Sequence, residues 1–264
     1  MSETLAADAR LLADTVREAG ALGLSLARKP GLKRWSKPDG SEVSEGDLAI
    51  NELFEQRLRA ARPSDGWLSE ETPDRPDRLA QQRLWIIDPI DGTRAFISGV
   101  PAWGTLIGLR QHGRPVAGLV HQPYLEETFA GSGTEGWFER RGERRPLRAR
   151  QDARLADAIL YCTHPSMFRS GPEIAAFERV SAAVRMSRFG GDCYSYCLLA
   201  LGLVDLVVES DLQSYDIQPL IPIIHAAGGV VSGPRGEDAS GGGFVVAAAN
   251  PELHAEALAL IAAA

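Results

Sequence analysis

Four consecutive apolar residues, Leu84-Trp85-Ile86-Ile87, run directly into Asp88-Pro89-Ile90-Asp91-Gly92-Thr93. The apolar run has strong strand propensity, and it ends in a turn that carries two carboxylates and a proline. A strand delivering carboxylates to its end is a rigid mount for a catalytic centre, so the chain must build a sheet around it. Trp67-Leu68-Ser69 reads as a shorter strand of the same kind, delivering Glu70 and Glu71.

The flanking pattern supplies that sheet and its cover. Residues 5–28 mix Ala and Leu with charges at three-to-four spacing, which predicts an amphipathic helix ending before Pro30-Gly31. Lys37-Pro38-Asp39-Gly40-Ser41 marks a turn, after which Ser44 or Asp47 can cap a second helix running to about Arg62. Apolar stretches at 104–109, 115–120, 127–130 and 136–138, separated by polar turns, predict a strand meander with the first helices on one face. Charge density near 148–153 marks a boundary, dividing the chain into halves 1–147 and 148–264. In the second half the pattern predicts strands at 158–161, 203–209, from 230 and at 244–248, with helices at 173–184, 194–201, 217–227 and from about 251.

Composition narrows the function classes. With 35 acidic against 28 basic side chains the net charge is −7, which gives no support to a cationic surface for nucleic acid or membrane. Three cysteines at 162, 193 and 197 fit neither a disulfide framework nor a zinc site, and five scattered histidines lack zinc-ligand spacing. Cys193 and Cys197 read as small buried hydrophobes, and the tryptophans as packing groups. Met1-Ser2-Glu3-Thr4 carries no basic stretch before an apolar run, and no run approaches the roughly 20 apolar residues of a membrane span. The cytoplasm is the expected compartment.

The carboxylates carry the chemistry. Asp88 and Asp91 are three apart around Pro89, so a tight turn can aim both side chains and the Ile90 carbonyl at one centre. These are hard oxygen donors, suited to Mg²⁺ or Mn²⁺ and not to soft metals. Free N–H groups at Gly92 and Thr93, if a helix starts there, can hold a phosphate oxygen beside the ion. The spacing alone is equally compatible with an ordinary polar turn, Glu70-Glu71 with a solvated pair, and Asp216 or Asp47 with helix caps.

Read together, three ordered motifs resemble the magnesium-dependent, lithium-sensitive phosphatase superfamily of inositol monophosphatase. They are Trp85-Ile86-Ile87-Asp88-Pro89-Ile90-Asp91-Gly92-Thr93-Arg94-Ala95-Phe96, Tyr215-Asp216-Ile217 running to Gly228-Gly229, and Ser69-Glu70-Glu71, where Ser stands for the usual Gly. Within that superfamily the chain is most similar to histidinol-phosphate phosphatases, on Lys37–Ser41, Phe96–Thr105, Arg188–Tyr196 and Tyr215–Ile224. Ser44–Asp47 and Ile217–Pro219 depart from the usual Thr-Glu-Ala-Asp and Ile-Ala-Ala forms.

The resemblance implies an α/β fold, a layered α-β-α-β-α sandwich, with the active site between the halves. It implies Glu70, Asp88 and the Ile90 carbonyl as ligands of one Mg²⁺, and Asp88, Asp91 and Asp216 as ligands of a second. Two or three ions are implied, with Mn²⁺ as a substitute and Li⁺ and Ca²⁺ as inhibitors. Glu70 and Thr93 orient the attacking water on this pattern, Asp47 assists Thr93 or a nearby metal-bound water, and Glu71 and Lys37 support the site. The Gly92 and Thr93 N–H groups bind phosphate. Arg188, Gly190, Gly191, Asp192 and Glu209 face the substrate, with Asp192 and Glu209 suited to a cationic amine or imidazole and Arg188 to phosphate or an acidic neighbour. Hydrolysis of L-histidinol phosphate is thus the leading expectation. An inositol or nucleotide 3′-phosphate phosphatase is the enzymatic alternative, and a non-catalytic interaction protein the other. The substrate is a small phosphate monoester, and family relatives commonly form homodimers.

Overall fold

The computed structural model describes residues 3–38, 40–133 and 135–263. Met1, Ser2 and Asp39, used in the sequence reading, lie outside these residues. Helix α1 (Glu3–Leu26) leads to a hairpin, β1 (Arg34–Ser36) and β2 (Glu42–Ser44), then α2 (Glu45–Ala61). Next come β3 (Gly66–Ser69), the single turn α3 (Pro76–Leu79), β4 (Arg83–Asp91) and α4 (Thr93–Ser98). Strands β5 (Gly104–Gln111), β6 (Arg114–Gln122), β7 (Glu127–Ser132), β8 (Glu135–Arg140) and β9 (Glu143–Pro146) complete a seven-stranded sheet ordered β3-β4-β5-β6-β7-β8-β9.

The second half continues with β10 (Ile159–Cys162), α5 (Pro172–Ala183), β11 (Met186–Phe189), α6 (Asp192–Ala200) and β12 (Leu206–Leu212). It ends with α7 (Ser214–Ile217), α8 (Leu220–Ala226), β13 (Val230–Ser232), β14 (Gly243–Ala248) and α9 (Pro251–Ala262). The second sheet runs β11-β10-β12-β14-β13. Helices α1 and α2 cover one face of the large sheet, α6 and α8 fill the space between the sheets, and α5 and α9 pack on the outside. This is the layered α-β-α-β-α sandwich.

Side-chain alternation explains the layering. Trp85, Ile87, Ile107, Leu109 and Leu119 pack with α1 and α2, whereas Leu106, Val120, Phe129 and Phe138 face the second half. Successive strand residues point to opposite faces, so the central strands are apolar on both sides, and each large side chain buried contributes about 2 kcal/mol.

The structure departs from the sequence reading at particular places. Strand β4 runs to Asp91 and does not stop at Asp88. Strand β12 begins at Leu206, because Asp205 is turned to accept from the Ile159 N–H at 2.8 Å and to pair with Arg150 at 2.8 Å. The helix expected over 217–227 is two helices. Gln218 and Pro219 keep helical dihedrals, but Pro219 has no N–H to continue the ladder; Pro222 sits in the first turn of α8, where no donor is missed.

Helix α8 locks the halves together. A Cβ on Gly118 would overlap the Pro219 carbonyl, one on Gly131 the Pro222 carbonyl, and one on Gly108 would lie 3.1 Å from the Pro219 Cα. The large sheet thus offers notches into which the backbone around Pro219 and Pro222 is pressed.

Candidate active site

The two aspartates of β4 share a site because the strand is irregular. Asp88 pairs with Leu106 and Asp91 with Gly104, three steps on β4 against two on β5. In a regular strand residues three apart face opposite sides; the extra residue within Pro89-Ile90 returns both carboxylates to one side. Asp216 arrives from the second half on α7, which is docked by Tyr215 against Leu68, Leu84 and Ile86. Oxygens of Asp88, Asp91 and Asp216 all lie within 4.8 Å of one another.

This floor is under electrostatic strain. Burial, and then the charges of Glu70, Asp91 and Asp216, push the Asp88 carboxyl well above its ordinary range. Burial and Asp216 do the same to Asp91, opposed by the Cys193 N–H, which donates to its Oδ1 at 2.8 Å. Burial raises Asp216 to about 7, against the Gln213 N–H bond of 2.7 Å. Asp216 is therefore a helix cap and a floor carboxylate at once. The Asp88 Oδ1 is buried with no hydrogen-bond donor among the described residues. An orphaned oxygen among hard, mutually repelling donors is the chemistry of a site for a hard dication, and Mg²⁺ or Mn²⁺ fits it.

Beside the floor, Lys37 donates to Glu70 at 2.8 Å and to Glu71 at 2.7 Å. Burial still raises Glu71 to about 7 and lifts Glu70 above its usual range, while the two carboxylates outweigh burial and raise Lys37. Ser69 fits its position: its hydroxyl donates to Asn51 at 2.6 Å. Asp47 has one oxygen in a capping box, accepting from the Ser44 N–H at 2.7 Å, and the other 3.1 Å from the Thr93 hydroxyl. That hydroxyl is also 3.1 Å from the Ile90 carbonyl, so its single proton is shared. Gly92 precedes α4 with φ 87, and Asp192 stands 3.2 Å from where its Cβ would be; only glycine suits both conditions.

Asp192 and Glu209 line the same cavity of about 190 Å³ as the floor. Burial and the Glu209 charge raise the Asp192 carboxyl to about 6, with Arg94 opposing. Glu209 lines the cavity but is already hydrogen-bonded. It is 1% exposed and its oxygens already accept from the Thr163 N–H at 2.7 Å and the Tyr196 hydroxyl at 2.9 Å, so it braces β10 to α6. Arg188 is exposed on the edge strand β11, outside that cavity's lining. Gly190, with φ 81, and Gly191, whose Cβ would strike the Ser195 hydroxyl, shape the turn into α6 and do not line the cavity. Thr163, Met167, Tyr196 and Asp211 line it without having been singled out from sequence, and Arg94 lines the adjoining opening. Arg94 and Tyr196 sit inside stretches that carry the resemblance; Thr163, Met167 and Asp211 come from separate segments with no local signal.

The model of the inositol monophosphatase family matches residues 7–264. The chain belongs to this family. Its sandwich superposes on an inositol monophosphatase from Zymomonas mobilis with a TM-score of 0.85, at 33% identity, over 99% of each chain. Among similar family proteins, a histidinol-phosphatase of Chlorobaculum parvum is 30% identical over 254 residues, 96% of both chains. The chloroplastic bifunctional phosphatase IMPL2 of Arabidopsis thaliana is 36% identical over 236 residues; the match spans 84% of this chain and 66% of that protein. The chain is thus an inositol monophosphatase family phosphatase with an acidic cluster able to bind metal. No helix among the described residues is long and apolar enough to cross a membrane.

Proposed function

We propose that this chain is a Mg²⁺-dependent phosphate monoesterase whose preferred substrate is L-histidinol phosphate. The observation that carries the substrate choice is the acidic wall above the floor: Asp192 faces the cavity, and Arg188 does not enter it to favour a polyanion. An acidic wall favours a cationic leaving alcohol over a neutral or anionic one. The similarity to a histidinol-phosphatase along 96% of the chain supports the same choice.

Glu70, Asp88, Asp91, Asp216 and the Ile90 carbonyl would hold the cations. When bound, these supply Lewis-acid stabilisation of charge on the phosphoryl oxygens and the leaving alkoxide. Glu70, raised by burial and steadied by Lys37, accepts the proton of the attacking water. The Thr93 hydroxyl, held by Asp47, orients that water. The Gly92 and Thr93 N–H groups donate to the phosphate, and Asp192 receives the substrate cation. A homodimer in the cytoplasm completes the reading, and sedimentation of the purified protein checks the assembly.

The test is phosphate release from L-histidinol phosphate, myo-inositol 1-phosphate and adenosine 3′,5′-bisphosphate, with and without Mg²⁺. Histidinol phosphate is expected to show the largest kcat/KM by about tenfold or more. Equal or faster turnover of another ester refutes the substrate, and Mg²⁺-independent turnover refutes the metal. Inositol phosphate is the second reading, because carboxylates also accept hydroxyl hydrogen bonds and the Zymomonas mobilis structure is of an inositol monophosphatase.

A further inference from the structure

Six described non-glycine residues have positive φ. Four of them, Arg28, His112, Glu126 and Arg141, follow a helix or sit in hairpin turns. The other two, Asp192 with φ 45 and Asp211 with φ 62, line the cavity and its adjoining opening. Left-handed backbone is costly for a side chain and is retained where the surrounding structure imposes it.

Asp211 owes its place to a second bulge. Glu209 pairs with Val245 and Leu212 with Gly243, three steps on β12 against two on β14. Ser210 turns inward to donate to Glu173 at 3.1 Å, and Asp211 is turned to the mouth of the cavity, where it is exposed. Its backbone carbonyl accepts from Gln213, but its carboxylate has no hydrogen bond or ion pair among the described residues. Of the other acids of the cavity, three form the floor, Glu70 is held by Lys37, Glu209 is held by Thr163 and Tyr196, and Asp192 has the Arg94 charge nearby. Met167 and Leu212 beside Asp211 give the same wall apolar surface for the body of an alcohol.

We propose that Asp211 is the specificity-determining residue that selects phosphate esters of cationic amino alcohols, by pairing with the ammonium or imidazolium of the leaving group at the cavity mouth. This deepens the function proposed above and rests on its reading of the site as a phosphate monoesterase. Asp192 lies deeper, beside Gly92, and receives what Asp211 has oriented.

Two variants test it. Asp211→Asn keeps the size and tolerates left-handed backbone, and Asp211→Gly relieves that backbone altogether, so neither depends on a rescued fold. Specificity constants are measured for L-histidinol phosphate against myo-inositol 1-phosphate, and for O-phosphoethanolamine against ethyl phosphate, a pair differing in one ammonium. Both variants are expected to lower the cationic-to-neutral ratio about tenfold, mainly through KM of the cationic ester. A ratio within about twofold of wild type in both variants overturns the proposal. If wild type prefers inositol phosphate over histidinol phosphate, the substrate reading fails, while Asp211 is still judged by the ethanolamine pair. No wild-type preference for the ammonium ester in that pair overturns the role of Asp211.

Discussion

Replacing Asp216 by Asn removes one charge from the floor and leaves an oxygen to accept the Gln213 N–H. In the metal-free protein, burial and the Glu70 charge move this carboxyl from 3.8 to about 7. Ionising a carboxyl displaced that far costs the folded state about 4 kcal/mol relative to the unfolded chain. The sign follows from proton uptake. Below about pH 4 both states are protonated and the cost vanishes; between about 4 and 7 the unfolded chain releases its proton first and stability falls; above that window the full cost is present. Asn does not titrate and escapes it. In EDTA at about pH 8, Asp216→Asn is expected to melt about 5–10 °C above wild type by calorimetry, less than the full cost because Asp88 and Asp91 take up part of the repulsion. The gap closes towards about pH 4. Mg²⁺ reverses the order by stabilising wild type alone, and turnover of the variant falls at least about a hundredfold. A variant that melts no higher than wild type in EDTA, or keeps its advantage in acid, refutes the strained floor.

Thr93→Val removes the hydroxyl between Asp47 and the Ile90 carbonyl, and should lower kcat about a hundredfold with KM little changed; a pure KM effect contradicts the orienting role. Lys37→Met leaves Glu70 and Glu71 without their cation, so both carboxyls rise further and the acid limb of the kcat/KM profile moves up by about one pH unit; an unmoved limb counts against that support. Gly118→Ala drives a methyl into the Pro219 carbonyl and should cost about 3 kcal/mol or more in urea unfolding, whereas Gly113→Ala, in an open turn with φ 79, should cost about 1 kcal/mol from backbone alone.

The sheets were legible where the chain is apolar, as at Leu84–Ile87, and illegible at their edges. Arg34–Ser36, Glu143–Pro146 and Met186–Phe189 were not read as strands because they lie in the hairpin or at a sheet edge, mostly exposed, with little apolar alternation to reveal them. The candidate site was legible as a set of carboxylates, since Asp88-Pro89-Ile90-Asp91 is local. The bulge that aligns them was not, because it exists only against Leu106 and Gly104. Asp211 shows the same limit: its exposure at the mouth depends on pairing with β14, and Glu209 looked free because Thr163 and Tyr196 reach it from other segments.

Asp216 stands three residues before Pro219, which is seated in the sheet that carries Asp88 and Asp91. Separating the floor would mean prising that proline from Gly108 and Gly118. A bound ion would therefore meet a socket cast in one piece by the packing of Pro219 against the sheet. On the proposal for Asp211, selectivity would hang on the thinner rim of β12, where a single substitution would alter which alcohol is admitted without recasting the seat beneath it.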